Sequence, residues 1–227
     1  MTKIPDNSVD MILCDPPYGI TDCEWDKTLP FEDLWTQYNR VLKDNGAVVI
    51  FSAQPFTTAL IHSNMRDFRY CWYWLKQQAT GFAYARYQPM RRIEDICVFY
   101  RKKPVYNPQG LVAIEDGAAR KRQRKASSRE AVYDMSTLQN EYTPRFKNWP
   151  KNVLEFSSER GLHPTQKPVA LLEYLIKTYT NEGDTVLDNC MGSGSTGVAA
   201  KRTGRHFIGI ELSEHYFNIA KSRIETS

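Results

Sequence analysis

From Thr185 to Ile224 the chain reads as one unbroken alternation of strand, turn and helix. An apolar strand, Thr185–Asp188, runs into the turn Gly192-Ser193-Gly194-Ser195-Thr196-Gly197, then helix Thr196–Arg202, strand His206–Glu211 and helix Glu214–Ile224. Such a β-α-β-α run commits the chain to an α/β layer. Glycines at 192 and 194 allow a tight turn and close backbone approach to a ligand, with a helix N-terminus behind it.

A second strand-to-turn junction lies at the front. Val9–Cys14 is an apolar run of the kind buried in a parallel sheet, and it ends at Asp15-Pro16-Pro17-Tyr18. Phe31–Lys43 carries Phe31, Leu34, Trp35, Tyr38, Val41 and Leu42 at helical spacing, with Asn45-Gly46 as a stop. Strand Ala47–Phe51, a helix after Pro55, and aromatic or β-branched strands Phe68–Leu75 and Ile96–Tyr100 follow. Helical spacing resumes over Val169–Tyr179, before the turn Asn181-Glu182-Gly183-Asp184. The reading gives two halves of one α/β fold, 1–102 and 153–227, around a loop-rich insertion at 103–152 with no core of its own.

With 227 residues, 41% of them hydrophobic, the chain can build one sizeable core. No apolar stretch reaches the roughly 18 residues of a membrane span, and the first residues lack the apolar core of a signal peptide. Five cysteines without a C-x-x-C pair point to reduced thiols in a cytoplasm, and away from zinc or a disulfide framework.

Charge is unevenly spread. Arg86–Lys151 holds fifteen basic and seven acidic residues, a surplus of eight, so the remainder sums to −4 against the chain's +4. The densest run is Arg120, Lys121, Arg122, Arg124 and Lys125, interleaved with Gln123. A solvated loop accounts for such a run; so does contact with a phosphate backbone, and both can hold for one segment.

The two junctions have different chemistry. Glu211 follows Gly192 by 19 residues, a spacing that also suits a nicotinamide dinucleotide, with Glu211 on a ribose hydroxyl. Asp188 argues otherwise: a carboxylate there sits badly beside a pyrophosphate and well beside a cationic amino-acid group. At the other junction, prolines hold the backbone rigid. The Asp15 carboxylate and Pro16 carbonyl offer two acceptors for the hydrogens of an exocyclic amine, and Tyr18 offers a flat face to a flipped base. The bland alternatives are a tight strand-helix turn and a proline-rich turn that bind nothing.

Three blocks carry a resemblance: Asp15–Tyr18, His163-Pro164-Thr165-Gln166-Lys167-Pro168, and Val186 through Thr196. The chain resembles the S-adenosylmethionine-dependent amino-methyltransferases that make N6-methyladenine or N4-methylcytosine in DNA. Trp74-Leu75-Lys76, Glu94-Asp95-Ile96 and Tyr106-Asn107-Pro108 fit the weaker connecting pattern. The order of the blocks resembles the β group, which implies a circularly permuted Rossmann-like sheet with its target-recognition region in the basic insertion. The resemblance assigns catalysis to Asp15, Pro16, Pro17 and Tyr18. It assigns S-adenosylmethionine to Asp188, Asn189, Met191, Gly192, Gly194, Thr196, Glu211, His163, Thr165 and Lys167, and double-stranded DNA to the basic run. It implies no metal and no cysteine nucleophile, and relatives of the group often pair as dimers. Aspartate at the head of the first block points to adenine, since the cytosine enzymes more often carry serine.

The sequence departs from the group's pattern in two places. Cys190-Met191 stands where phenylalanine often precedes the glycines, and Met191 can fill a similar volume. Only nine residues precede Asp10, where the group usually has a further strand and a Gly-Asp pair. The expectation is an uncovered apolar edge at His206–Ile210, a cofactor pocket short of one wall, and weakened cofactor binding or solubility. Cytosine-N4 methylation and a truncated, non-catalytic DNA-binding remnant are the competing readings.

Overall fold

The computed structural model describes residues 1–19, 29–114, 144–159, 161 and 166–227, with backbone alone at 122–123 and 141–142. Two compact units emerge, Met1–Asn107 with Lys151–Ser227, and Pro108–Pro150.

The first unit is built on a seven-stranded sheet: β1 (Val9–Cys14), β2 (Leu42–Ser52), β3 (Phe68–Thr80), β4 (Arg91–Phe99), β5 (Val153–Glu155), β6 (Thr185–Asp188) and β7 (His206–Gly209). Their spatial order is β7-β6-β1-β2-β4-β3-β5. β4 alone runs antiparallel to both its neighbours. The strands that lead to the two functional turns are adjacent and parallel, with Met11 opposite Val186 and Ile12 opposite Leu187.

Both faces of the sheet are covered, which is why β1 and β2 read as continuous apolar runs rather than alternating ones. Met11, Leu13, Val49 and Phe51 point to one face, against Leu171, Leu172, Leu175 and Ile176 of α3 (Val169–Tyr179) and Val198 and Ala199 of α4 (Ser195–Arg202). Ile12, Cys14, Val48 and Ile50 point to the other, against Leu34, Trp35 and Tyr38 of α1 (Phe31–Val41) and Leu60 of α2 (Phe56–Ser63). Each fully buried aliphatic side chain contributes roughly 1.5–3 kcal/mol. A last helix, α5 (Glu214–Thr226), is capped by Ser213, whose hydroxyl accepts from Tyr216 N. Cys14 is a core residue, buried among apolar side chains.

Several boundaries differ from the sequence reading. Helix α1 stops at Val41 because Leu42 is already extended, and β2 begins there without a loop. Gly46 lies inside β2 rather than ending a helix. A Cβ there would come within 2.8 Å of the Asp10 carbonyl, so glycine serves a close approach where β1 and β2 slip register. β7 ends at Gly209, leaving Glu211 in the loop beyond. β5 is a three-residue strand, too short to leave a periodic signature.

β3 and β4 are much longer than their apolar cores, and together form a hairpin arm whose tip, Gly81–Met90, begins with a single 3-10 turn at Phe82–Tyr84.

In the second unit, Val112–Ala113 pairs with Phe146–Lys147 and Arg122–Gln123 with Glu141–Tyr142, all antiparallel. Asn148 Nδ2 donates to the Gly110 carbonyl at 2.7 Å.

Candidate active site

Both functional turns leave the carboxyl ends of neighbouring parallel strands, so they share one rim of the sheet. This is where open α/β folds bind ligands.

Asp15 is not a bare carboxylate. Lys167 Nζ donates to its Oδ2, and the Tyr18 hydroxyl donates to Oδ1 at 2.6 Å. Lys167 also reaches Glu94 Oε1 at 3.0 Å, and Lys76 Nζ holds the other Glu94 oxygen at 2.6 Å. Two carboxylates and two ammonium groups thus alternate in a chain from β1 to β3, with Lys167 and Glu94 both about nine-tenths buried. The Tyr18 hydroxyl also lies 3.4 Å from Glu94 Oε1, and its ring stacks on Phe56 at 5.1 Å between centroids.

These contacts set the protonation states. Burial raises the Asp15 pKa, Lys167 opposes that rise, and the Glu94 charge adds to it. Burial would also raise Glu94, yet Lys167 and Lys76 together hold it below its ordinary value. Burial alone would lower Lys167, but Asp15 and Glu94 keep it firmly charged. Burial, then the Asp15 and Glu94 charges, push the Tyr18 phenol well up, so it stays a donor.

The second turn is anchored from within. Asp188 is buried; its Oδ2 accepts from Thr196 Oγ1 at 2.6 Å and its Oδ1 from Cys190 N at 3.0 Å. Burial nonetheless lifts its pKa to about 7, with those hydrogen bonds holding it down in part. Glu211 accepts from Gly192 N and Ser213 N, each at 2.9 Å, tying the glycine turn to the loop after β7. Gly192 and Gly194 have positive φ, 50° and 80°. Asn189 Oδ1 accepts from the Tyr38 hydroxyl at 2.6 Å, linking the turn to α1. Met191 is buried over Gly209, where a Cβ would meet its sulfur at 2.2 Å.

The structure therefore brings Asp15, Pro16, Pro17 and Tyr18 to the same rim as Asp188, Asn189, Met191, Gly192, Gly194, Thr196 and Glu211. Lys167 sits on Asp15 and Glu94. His163 and Thr165 lie outside the described residues, as do Arg120, Lys121, Arg124 and Lys125, while Arg122 is described by its backbone alone. Glu94 and Lys76 were not among the candidate site residues. Their signal was faint: charged residues at the ends of otherwise apolar strand runs. Leu212, beside Glu211, is fully exposed. Among the described residues no helix is long and apolar enough to cross a membrane.

Comparison with known proteins adds to this geometry. A DNA methylase family model of N6- and N4-methyltransferases matches residues 9–222. The Type II methyltransferase M.HpaI of Haemophilus parainfluenzae is 30% identical over 251 aligned residues, covering all of this chain and 71% of that protein. The Type II methyltransferase M2.DpnII of Streptococcus pneumoniae is 31% identical, covering 99% of this chain and 85% of its own. Among solved structures, an M1.HpyAVI–SAM complex superposes with a TM-score of 0.64 at 28% identity, covering 95% of this chain and 89% of that one. The PvuII cytosine-N4-specific DNA methyltransferase shares the fold at a TM-score of 0.68 and 16% identity, covering 98% of this chain and 81% of that one.

Proposed function

Because the chain belongs to the DNA methylase family of N6- and N4-methyltransferases, we propose that it methylates the N6 amino group of adenine in double-stranded DNA. The observation that carries this reading is the Asp15–Pro16 turn, set by the β1–β6 ladder on the same rim as the Asp188 and glycine turn.

S-adenosylmethionine is the cofactor, and the residues present fit it. Gln166 Oε1 is buried without a hydrogen-bond partner among the described residues, an acceptor suited to a cationic amine. Glu211 keeps free lone pairs for ribose hydroxyls, and exposed Leu212 beside it offers apolar surface to a flat ring. Asp188, Asn189, Met191, Gly192, Gly194 and Thr196 would hold the remainder. When bound, the cofactor supplies an electrophilic methyl group.

The chain's own residues then act on the base. Asp15 accepts one amine hydrogen and the Pro16 carbonyl the other, which turns the nitrogen lone pair out of conjugation. For this the Tyr18 hydroxyl must leave Asp15 Oδ1, and Glu94 Oε1, already 3.4 Å away, is its second acceptor. The freed Tyr18 ring can stack on the flipped base. Lys167 holds the other Asp15 oxygen and keeps the carboxylate charged.

Labelled methyl transfer to unmethylated mixed-sequence DNA, followed by nucleoside mass spectrometry, tests the proposal. N6-methyladenine lost with Asp15→Ala is the expected result. N4-methylcytosine would move the activity to the other base, and DNA binding without methyl transfer at saturating cofactor would mark a non-catalytic remnant.

A further inference from the structure

The hairpin arm of β3 and β4 carries features that the methyl-transfer chemistry leaves unused. Between Lys76 and Glu94 the sequence has three arginines, 86, 91 and 92, and no acidic residue. The same stretch exposes Phe82, Tyr84 and Tyr87, at 82%, 62% and 87% of their full surface. Three large rings left in water at one hairpin tip are not explained by folding.

The tip is a built structure. Gly81, at φ +90°, opens it, and Tyr84 N, Ala85 N and Tyr87 N donate in succession to the carbonyls of Gly81, Phe82 and Tyr84 at 2.9–3.1 Å. Arg92 Nε donates across the arm to the Lys76 carbonyl at 2.9 Å, bracing its base.

Its place in the fold follows from register. β2 runs parallel to β1, and β4 antiparallel to β2 with Asp95 opposite Ser52, so β4 enters the sheet from the rim that carries Asp15. Glu94, in contact with Lys167 and Tyr18, marks the level of the catalytic turn. Arg91 stands three residues further out, about 10 Å at the usual strand rise. The rings lie beyond that, outward of the same rim.

We infer that the tip and the first two residues of β4, Phe82–Arg92, form a second nucleic-acid surface, in which the arginines meet backbone phosphates and the exposed rings stack on bases unpaired where the duplex opens at the catalytic rim. Cationic groups interleaved with flat exposed rings, without acids, are what a locally opened strand requires. The inference rests on DNA being the substrate.

Two fluorescent 24-base-pair probes of mixed sequence test it, one fully paired and one with a three-nucleotide bubble, by anisotropy across salt concentrations. The unsubstituted chain is expected to prefer the bubble. Phe82→Ser/Tyr84→Ser/Tyr87→Ser should lose that preference, about tenfold or more, as expected when a base–aromatic stack is removed. Arg86→Gln/Arg91→Gln/Arg92→Gln should weaken both probes and flatten the log–log salt slope by about 0.9 for each phosphate no longer neutralised. Unchanged S-adenosylmethionine affinity by calorimetry certifies that each variant is folded; single substitutions replace any triple variant that fails this check. Variants that bind both probes like the parent would overturn the inference. So would altered sedimentation with unaltered DNA binding, which would assign the tip to a second copy of the chain. If the unsubstituted chain binds cofactor but neither probe, DNA as substrate fails, and the arm's role with it.

Discussion

Lys167 and Asp15, 152 residues apart in sequence, meet as a partly buried ion pair at the centre of the site. The cation that completes the carboxylate comes from the opposite half of the fold. Glu94 shares that cation, so the Asp15 carboxylate is governed by two residues that, under the proposed mechanism, need never touch the base.

The two neighbours should therefore move the acid limb of the pH–activity profile in opposite directions. Lys167→Gln removes the charge that holds the Asp15 pKa down, so the limb of kcat/KM should shift to higher pH. Glu94→Gln removes a charge that raises it, so the limb should shift to lower pH. A purely structural role would leave both limbs in place. Lys167→Gln also leaves the Asp15 carboxylate with the Tyr18 hydroxyl alone, while Glu94 keeps Lys76, and should lower stability in denaturant titrations.

Tyr18 combines a ring and a hydroxyl, which substitution can separate. Tyr18→Phe keeps the stacking face and loses only the hydroxyl, which must leave Asp15 for Glu94 in any case, so kcat should change by about tenfold or less in either direction. Tyr18→Ala removes the face itself and should cost about a hundredfold or more, near the upper end of a base-stacking contribution. Equal rates for the two variants would contradict a stacking role.

Asp188 titrates where few carboxylates do. Its pKa is raised from 3.8 to about 7 by burial, so a bound cationic ligand that favours the carboxylate must draw off its proton. Calorimetry should show S-adenosylmethionine affinity rising from pH 6 to 8, with proton release at the lower pH. The charge also opposes folding: the penalty is absent below about pH 4 and fully imposed above about pH 7. Asp188→Asn should therefore raise Tm at pH 8, by about 2–4 °C for each kcal/mol recovered, while cofactor binding weakens. A lowered Tm would count against this account.

Gly209 and Met191 form a paired fit. A Cβ at 209 would lie 2.2 Å from the Met191 sulfur and 2.7 Å from the Phe207 ring. Gly209→Ala should cost about 1–3 kcal/mol, as overpacked sites do. Adding Met191→Ala should return part of it, which a double-mutant cycle would measure as coupling. Strict additivity would mean that the two positions do not share the strain.

What was legible in the sequence was whatever left a local mark. Val9–Cys14 and Thr185–Asp188 stood out as continuous apolar runs because both faces of their strands are covered, and the structure returns the same bounds. Asp15–Tyr18 and Gly192–Gly197 were visible because turns restrict residue types. Glu94 and Lys76 stood only in the weaker connecting pattern, because their link to Asp15 arises only when β4 and β3 join the sheet beyond β2 and the turn before α3 delivers Lys167. Gly46 misled for a related reason: a glycine that ends a helix and one that admits a neighbouring backbone look alike until that neighbour is placed.

The β1–β6 ladder has one further consequence. The spacing between the two turns is set by hydrogen bonds between adjacent strands, not by the long stretch of chain that joins them. Segment 108–150, which adds no described strand to that sheet, is consequently free to vary in length while the rim keeps its dimensions. Exchange of that segment for one of another length should therefore leave S-adenosylmethionine affinity, measured by calorimetry, unchanged.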